Sequence, residues 1–394
     1  MWATIRDTHW QKDSPGGLDW NAIRSEYRPK IEQAATPDEA RAVIQQMLSR
    51  LHQTHFGIVP GTIYSSLETK DGSPAREGSA APGFDLRVLE DEAVVTDVEP
   101  ASPAAKSGVH PGWIVQKVDG RALKPLIEKA QSNPNIHELQ LTRSLSALLT
   151  GSLGESMDVT FLDGAKSELT LRLELAEPRG VLSQFGNLPP ERVFYEDRRI
   201  GQTAYIRFNL FLDIPHVMPA FDQSLKNCKQ CDGLIIDLRG NPGGIGGMAM
   251  GLAGFLLSEP NQRLGTMYMR DTTLNFVVNP RADVFKGPVA ILMDATSAST
   301  SEIFAGGLQD LGRARVFGTR SAAAALPSVF ARLPNGDGFQ YAIANYVSRN
   351  GTTLEGAGVK PDEEVRLTRD GLLSGHDAVL DAALNWIHKG RGEK

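Results

Sequence analysis

With 394 residues, 41% of them hydrophobic, and a formal net charge of −6, the chain holds enough apolar material for two or three domains and carries no basic footprint for nucleic acid or an anionic membrane. No run approaches the roughly 20 apolar residues of a membrane span, and Met1-Trp-Ala-Thr-Ile-Arg-Asp7 contains no apolar signal core. Residues 1–78 are predicted as an N-terminal helical domain. Asp19 caps a helix carrying Trp20, Ile23 and Tyr27, which Pro29 interrupts. Thr36-Pro-Asp-Glu39 is a capping box with proline at the first helical position, and Ala40, Val43, Ile44, Met47, Leu48 and Leu51 follow as an apolar stripe. That helix is expected to end near His52, with Gln53-Thr-His-Phe-Gly57 as a loop and a polar linker over residues 69–82.

Strand signals begin in the second region, residues 79–178. Phe84, Leu86 and Val88 alternate with polar neighbours, and Ala93–Val98 follows as a second strand. Ser102-Pro-Ala-Ala-Lys-Ser-Gly-Val-His-Pro-Gly-Trp-Ile114 reads as a short helix, a turn and a strand. Residues 122–155 read as a helical insertion before strands at Met157–Phe161 and Leu169–Leu175. In the third region, residues 179–394, predicted strands at Thr203–Phe208, Leu234–Asp237, Val289–Met293, Arg315–Gly318 and Phe339–Val347 alternate with helical stretches, which argues a layered α/β domain. An amphipathic helix over Asp377–Ile387 closes the chain. Cys228 and Cys231, the only cysteines, read as a local thiol pair or small disulfide, since no second ligand pair exists for zinc. His9, His110, His137, His216, His376 and His388 show no clustering and no metal-ligand spacing, so no metal or other cofactor is expected.

Two turns in the third region carry chemistry. In Asp294-Ala-Thr-Ser-Ala-Ser-Thr-Ser-Glu302 a hydroxyl cluster lies between the apolar run Val289–Met293 and the helical spacing of Ile303, Phe304, Leu308 and Leu311. A helix N-terminus offers unpaired N–H groups and a positive dipole end, which suits a serine that attacks a carbonyl; the same residues also serve as ordinary caps. Leu234-Ile-Ile-Asp-Leu-Arg-Gly-Asn-Pro-Gly-Gly244 runs from a strand into a glycine turn whose N–H groups can cradle a negative oxygen. A phosphate loop is the rival reading, but the Gly-Lys-Ser/Thr signature is absent.

Together these turns resemble the C-terminal processing (tail-specific) serine peptidases. Asp237-Leu-Arg-Gly-Asn-Pro-Gly-Gly244 is similar to their glycine turn, and Ser297-Ala-Ser-Thr-Ser-Glu302 to their nucleophile turn. The likeness continues through Arg313–Gly318 and Leu354–Asp362. It implies a ClpP/crotonase-like core of ββα units with an N-terminal helical domain and an inserted PDZ domain. It also implies Ser299 as nucleophile, an oxyanion hole from the N–H groups of Gly243 or Gly244 and of Thr300, and a polypeptide substrate. An extracytoplasmic setting is expected, its signal absent from this chain; a cytoplasmic setting and homo-oligomer formation stay open. The block Ser102–Ile114 resembles a PDZ motif, and Gly83-Phe-Asp-Leu86 falls at the family's carboxylate-binding loop, with Asp85 replacing a small or apolar residue.

One departure stands out. Lysine-type members carry their general base shortly after the nucleophile helix, and Gly318-Thr-Arg-Ser-Ala-Ala-Ala-Ala-Leu-Pro-Ser328 has Ala324 there. Either the chain is an inactive, ligand-binding relative, or its base lies elsewhere. Thr54-His55 resembles the Ser-His pair of the histidine-type, tricorn-core branch, and Glu355 falls at the position of the glutamate that completes it. The resemblance then implies that His55 takes the proton of Ser299 while Thr54 and Glu355 orient it, with His52 as the competing histidine. An unperturbed imidazole near pKa 6.5 would place the acid limb of activity there.

Overall fold

The computed structural model describes residues 1–61, 80–132, 138–186, 188 and 190–389. The predicted linker up to residue 79 and His137 lie outside these residues. A six-stranded sheet forms the centre of the third region, in the order Tyr195–Ile200, Thr203–Phe208, Gly233–Asp237, Val289–Met293, Arg315–Gly318 and Glu363–Glu364. All neighbours are parallel except the first pair. Both faces of its middle strands are buried, as parallel sheets require. Leu234, Ile236, Val289 and Ile291 pack into the large core with helices Ile214–Asn227, Gly246–Ala253 and Thr300–Asp310. Their alternates Ile235, Ala290 and Leu292 pack against the closing helix Ala378–Lys389. Three adjacent parallel strands end at Asp237, Met293 and Gly318, so the segments that follow them emerge side by side at the carboxyl edge of the sheet, where open α/β sheets place their sites.

Residues 80–176 build a separate sheet, ordered Phe84–Leu89, Glu92–Val98, Ile114–Val118, Ser156–Leu162 and Glu168–Glu174, around its own core. Helix Glu138–Ala147 lies against the edge strand Phe84–Leu89. Ion pairs Arg87–Asp294, Arg207–Asp97 and Arg207–Asp85 tie this unit to the central sheet region. The first 61 residues do not stand apart: Ile5, Trp20, Met47, Leu48 and Phe56 share one core with Leu326, Phe339 and Ala342, and Gly57–Val59 pairs antiparallel with Gly338–Ala342.

Several local expectations need correction. Pro29 sits inside a continuous helix, Trp20–Glu32, which it does not interrupt. Proline costs a helix one N–H bond, and burial of Trp20, Ile23 and Tyr27 on the packed face outweighs it. The Thr36-capped helix ends at Ser49, three residues earlier than the stripe suggests. Phe339–Val347 is two strands, Gly338–Ala342 and Ala344–Ser348, which pair in different sheets either side of Ile343. The strands Gln262–Met269 and Thr273–Val278 carried no clear alternation and were not anticipated. Cys228 and Cys231 are joined as a disulfide at the end of helix Ile214–Asn227.

Candidate active site

Ser299 is the N-cap of helix Thr300–Asp310, with φ 54° and ψ −116°. Such a backbone costs about 1–3 kcal/mol and persists only where surroundings over-determine it. Here they do. Its N–H donates to the Ala324 carbonyl at 2.8 Å and to Glu302 Oε2 at 2.9 Å, while its carbonyl accepts from the N–H groups of Glu302 and Ile303. From Thr296 to Leu308 every residue is buried except Ser299, which opens into a cleft of about 2990 Å³.

The glycine turn lies directly against it. A Cβ on Gly243 would meet Ser299 Cβ and Thr300 N at 2.7 Å, and one on Gly244 would meet the Phe211 carbonyl oxygen at 2.2 Å. With φ of 98° and 135°, both positions also demand backbone that L side chains rarely adopt. Asn241, fully buried, staples the two turns: its Oδ1 accepts from Gly243 N–H and Ser301 Oγ, its carbonyl accepts from Ala298 N–H, and its Nδ2 donates to the Phe208 carbonyl. The Gly243 N–H is therefore occupied, which corrects the expectation that either glycine could serve as donor. Gly244 N–H carries no such bond, and Thr300 Oγ1 donates to the Gly244 carbonyl at 2.7 Å, holding Gly244 beside the first N–H of the helix. Ser297 and Ser301 do not cap. Ser297 Oγ donates to the Leu238 carbonyl and Ser301 Oγ to Asn241, so both serve the join between turns.

His55 reaches the same cleft from the N-terminal region. Strand Gly57–Val59 starts two residues later, so its pairing with Gly338–Ala342 fixes the loop. Thr54 N–H donates to Glu355 Oε1 at 2.8 Å, Thr54 Oγ1 donates to Glu355 Oε2 at 2.9 Å, and Thr54 Oγ1 lies 2.7 Å from His55 Nδ1. A hydroxyl has a single proton, and the carboxylate takes it; Nδ1 must then donate to Thr54 Oγ1. This assignment, made from the network, leaves the Nε2 lone pair free to accept a proton. Burial pushes the His55 imidazole down to about 4, and the Arg143 charge acts in the same direction, so the sequence-based figure near 6.5 does not hold in the folded chain. His52 is exposed and makes no such contact.

Ala324 stands where the lysine-type base would be. Its methyl is buried in a small cluster with Ala298 and with Leu139 of helix Glu138–Ala147. Its backbone remains in use, since its carbonyl holds Ser299 N–H and the next N–H, of Ala325, donates to Glu355 Oε2 at 3.0 Å. Glu302 organises the same segment. It is fully buried and accepts from Ser299 N–H, Ser321 Oγ at 2.5 Å, Ala323 N–H at 2.9 Å and Ala324 N–H at 3.1 Å. Burial raises its carboxyl to about 7, and these hydrogen bonds offset only part of that rise. Ala323, at φ 57°, is thus a second strained residue tied to the same carboxylate.

Sequence reasoning gave no role to Asn241, Glu302, Arg87 or Asp294. Glu302 carried a usable signal, since its spacing from Ser299 is that of a capping box. Arg87 carried none: its partner Asp294 is 207 residues away, and that carboxylate also accepts from Gly240 N–H and from Thr296. Burial opposes the Asp294 charge, but Arg87 and Thr296 prevail and hold its carboxyl at about 2. The Gly83–Leu86 segment starts the edge strand Phe84–Leu89; Asp85 is paired with Arg207 at 3.1 Å. Among the described residues no group of His, Cys, Asp and Glu has the arrangement of a metal site.

Residues 202–365 match Peptidase family S41. Over that stretch the chain is similar to S41 peptidases. Residues 1–49 match the tricorn protease C1 domain, so the part that supplies the helices before His55 has its own counterpart. Over 385 residues the chain is 23% identical to the carboxyl-terminal-processing protease of Synechocystis sp., covering 94% of this chain and 82% of that one. It is 23% identical over 293 residues to CtpA-like serine proteases of Staphylococcus aureus, covering 71% of this chain. The chain spans about half the length, 51%, of those staphylococcal relatives. The fold is shared with the photosystem II D1 C-terminal processing protease (TM-score 0.60, 21% identity, 96% of both chains). It is shared also with mature CPAF (TM-score 0.62, 14% identity, 95% and 93%) and with the tricorn protease (TM-score 0.50, 18% identity, 99% of this chain and 36% of that one).

Proposed function

We propose that the chain is a serine endopeptidase acting on unfolded or C-terminally exposed polypeptides, of the histidine type. Ser299 Oγ attacks the scissile carbonyl and His55 Nε2 takes its proton, later returning it to the leaving amine. Thr54 and Glu355 hold the Nε2-basic tautomer and stabilise the imidazolium that forms. Gly244 and Thr300 N–H groups receive the oxyanion; one such donor in a preorganised site is worth about 3 kcal/mol. The observation that carries this reading is the Thr54 bridge, which makes His55 a base on the side left open to the cleft. Loss of the lysine is then no loss of function.

The cleft favours a polymeric substrate, being about three times the upper size of small-molecule sites, roughly 1,000 Å³. Residues 80–176 act in this reading as a PDZ-type docking unit. The Phe84–Leu89 strand lies at a sheet edge beside helix Glu138–Ala147, both line the cleft, and an extended peptide can add to such an edge. A fluorophosphonate probe tests the core claim. Mass spectrometry should find the adduct on Ser299 in the native chain, none in Ser299→Ala, and greatly slowed labelling in His55→Ala. Absence of labelling in the native chain would leave an inactive, ligand-binding relative.

A further inference from the structure

Arg143 has no part in the chemistry above, yet it shares its cleft. It belongs to helix Glu138–Ala147 and lines the wall with His55 and Ser299. Other arginines along that wall are matched: Arg87 with Asp294, Arg207 with Asp97, Arg239 with Asp377. Arg143 makes no hydrogen bond or ion pair among the described residues; Glu191 acts on it only from beyond ion-pair distance, against a larger effect of burial that lowers the guanidinium's hold on its proton. Lys360 also lines the cleft without a carboxylate partner, but its charge is not among those acting on His55, whereas that of Arg143 is.

An uncompensated guanidinium beside a general base is costly twice. Its side chain is exposed to the cleft, yet the cleft walls crowd it enough to weaken its hydration, and it repels the imidazolium created in the first step. A carboxylate seated in its planar fork removes both costs with a charge-assisted, bidentate bond. We infer that Arg143 is a substrate-binding residue that holds a carboxylate of the bound polypeptide close to the scissile bond. Two sources share that chemistry, a free C-terminus and an acidic side chain. The inference rests on the peptidase reading above and adds to it a substrate preference.

The test uses unstructured fluorogenic peptides in two matched pairs: free C-terminus against C-terminal amide, and glutamate against glutamine next to the cleaved bond. Cleavage by the native chain should favour the carboxylate member of one pair by at least about tenfold in kcat/KM, the worth of a charged hydrogen bond. Arg143→Gln should erase that preference and Arg143→Glu reverse it, with thermal unfolding unchanged because no internal bond is lost. The pair that responds names the source. Equal cleavage of both members by the native chain, or a preference that survives in Arg143→Gln, overturns the assignment. Binding of the same peptides to Ser299→Ala, with and without Arg143→Gln, is read separately by fluorescence anisotropy. Carboxylate-selective binding lost with Arg143, in a native chain that never cuts, would sink the peptidase reading and uphold Arg143; absence of selectivity there sinks Arg143 alone.

Discussion

The Ser299 side and the His55 side of this cleft, nucleophile and base in the proposed mechanism, are held in different ways. Ser299 and the glycine turn leave neighbouring parallel strands and are joined by Asn241, Ser297, Ser301 and Glu302, all of them fully buried. Their bonds run mostly to backbone groups, so few side-chain motions can loosen them. His55 arrives on a loop whose neighbouring Thr54 bonds to Glu355, 301 residues after it, and both Thr54 and Glu355 are only half-buried. The comparison teaches that, in the proposed mechanism, the strained and buried element is the one that presents the nucleophile and the oxyanion donors, where a fraction of an ångström decides the rate. A base has only to reach, and one shared hydroxyl suffices to aim it.

Four measurements can break or sharpen that contrast. The largest effect is expected for Ser299→Ala and His55→Ala, each losing about three or more orders of magnitude in kcat with circular dichroism unchanged, because members of such a unit fail together. An active His55→Ala chain would remove the base side altogether. Next, Gly244→Ala should cost about 10²–10³ in kcat, the worth of an oxyanion donor, since the added methyl meets the Phe211 carbonyl at 2.2 Å; retained kcat would show that the donor is elsewhere.

Glu302 separates the two sides by pH. All four of its partners are donors, so only the ionised form satisfies them. With its carboxyl raised to about 7, that form is lost as pH falls through about 7; burial favours the protonated fold, so the fold itself is kept while the hydrogen bonds that set the Ser299 turn are rearranged, and His55, lowered to about 4, stays neutral and competent well below that. The acid limb of kcat/KM should therefore lie near 7 in the native chain and move toward 4 in Glu302→Gln, whose activity at pH 8 is reduced. A limb that stays near 7 in this variant would return it to another group. The smallest losses, about tenfold each, are expected for Thr54→Val, which removes the hydroxyl that bonds both His55 and Glu355, and for Glu355→Gln, which removes the charge of the acceptor, both leaving the imidazole in place; steady-state kinetics should place the loss in kcat. Loss as large as for His55→Ala would mean that aiming is as demanding on this side as on the other.

The local chemistry was legible in the sequence wherever neighbours in sequence are neighbours in space. The strands Thr203–Phe208, Val289–Met293 and Arg315–Gly318 form at the residues their apolar runs mark, and the capping box at Thr36 starts its helix as read. The glycine and serine turns announce themselves by residues that only a tight, polar strand-to-helix turn requires. Three things were decided by tertiary structure alone. Which glycine N–H stays free depends on Asn241, whose side chain claims the other. That His55 lines the same cleft as a serine 244 positions later follows from the pairing of Gly57–Val59 with Gly338–Ala342, and no local spacing encodes a neighbour so distant. The basicity of His55 and the acidity of Glu302 are set by how much water the assembled chain removes from each, and desolvation belongs to the packed fold rather than to the residue.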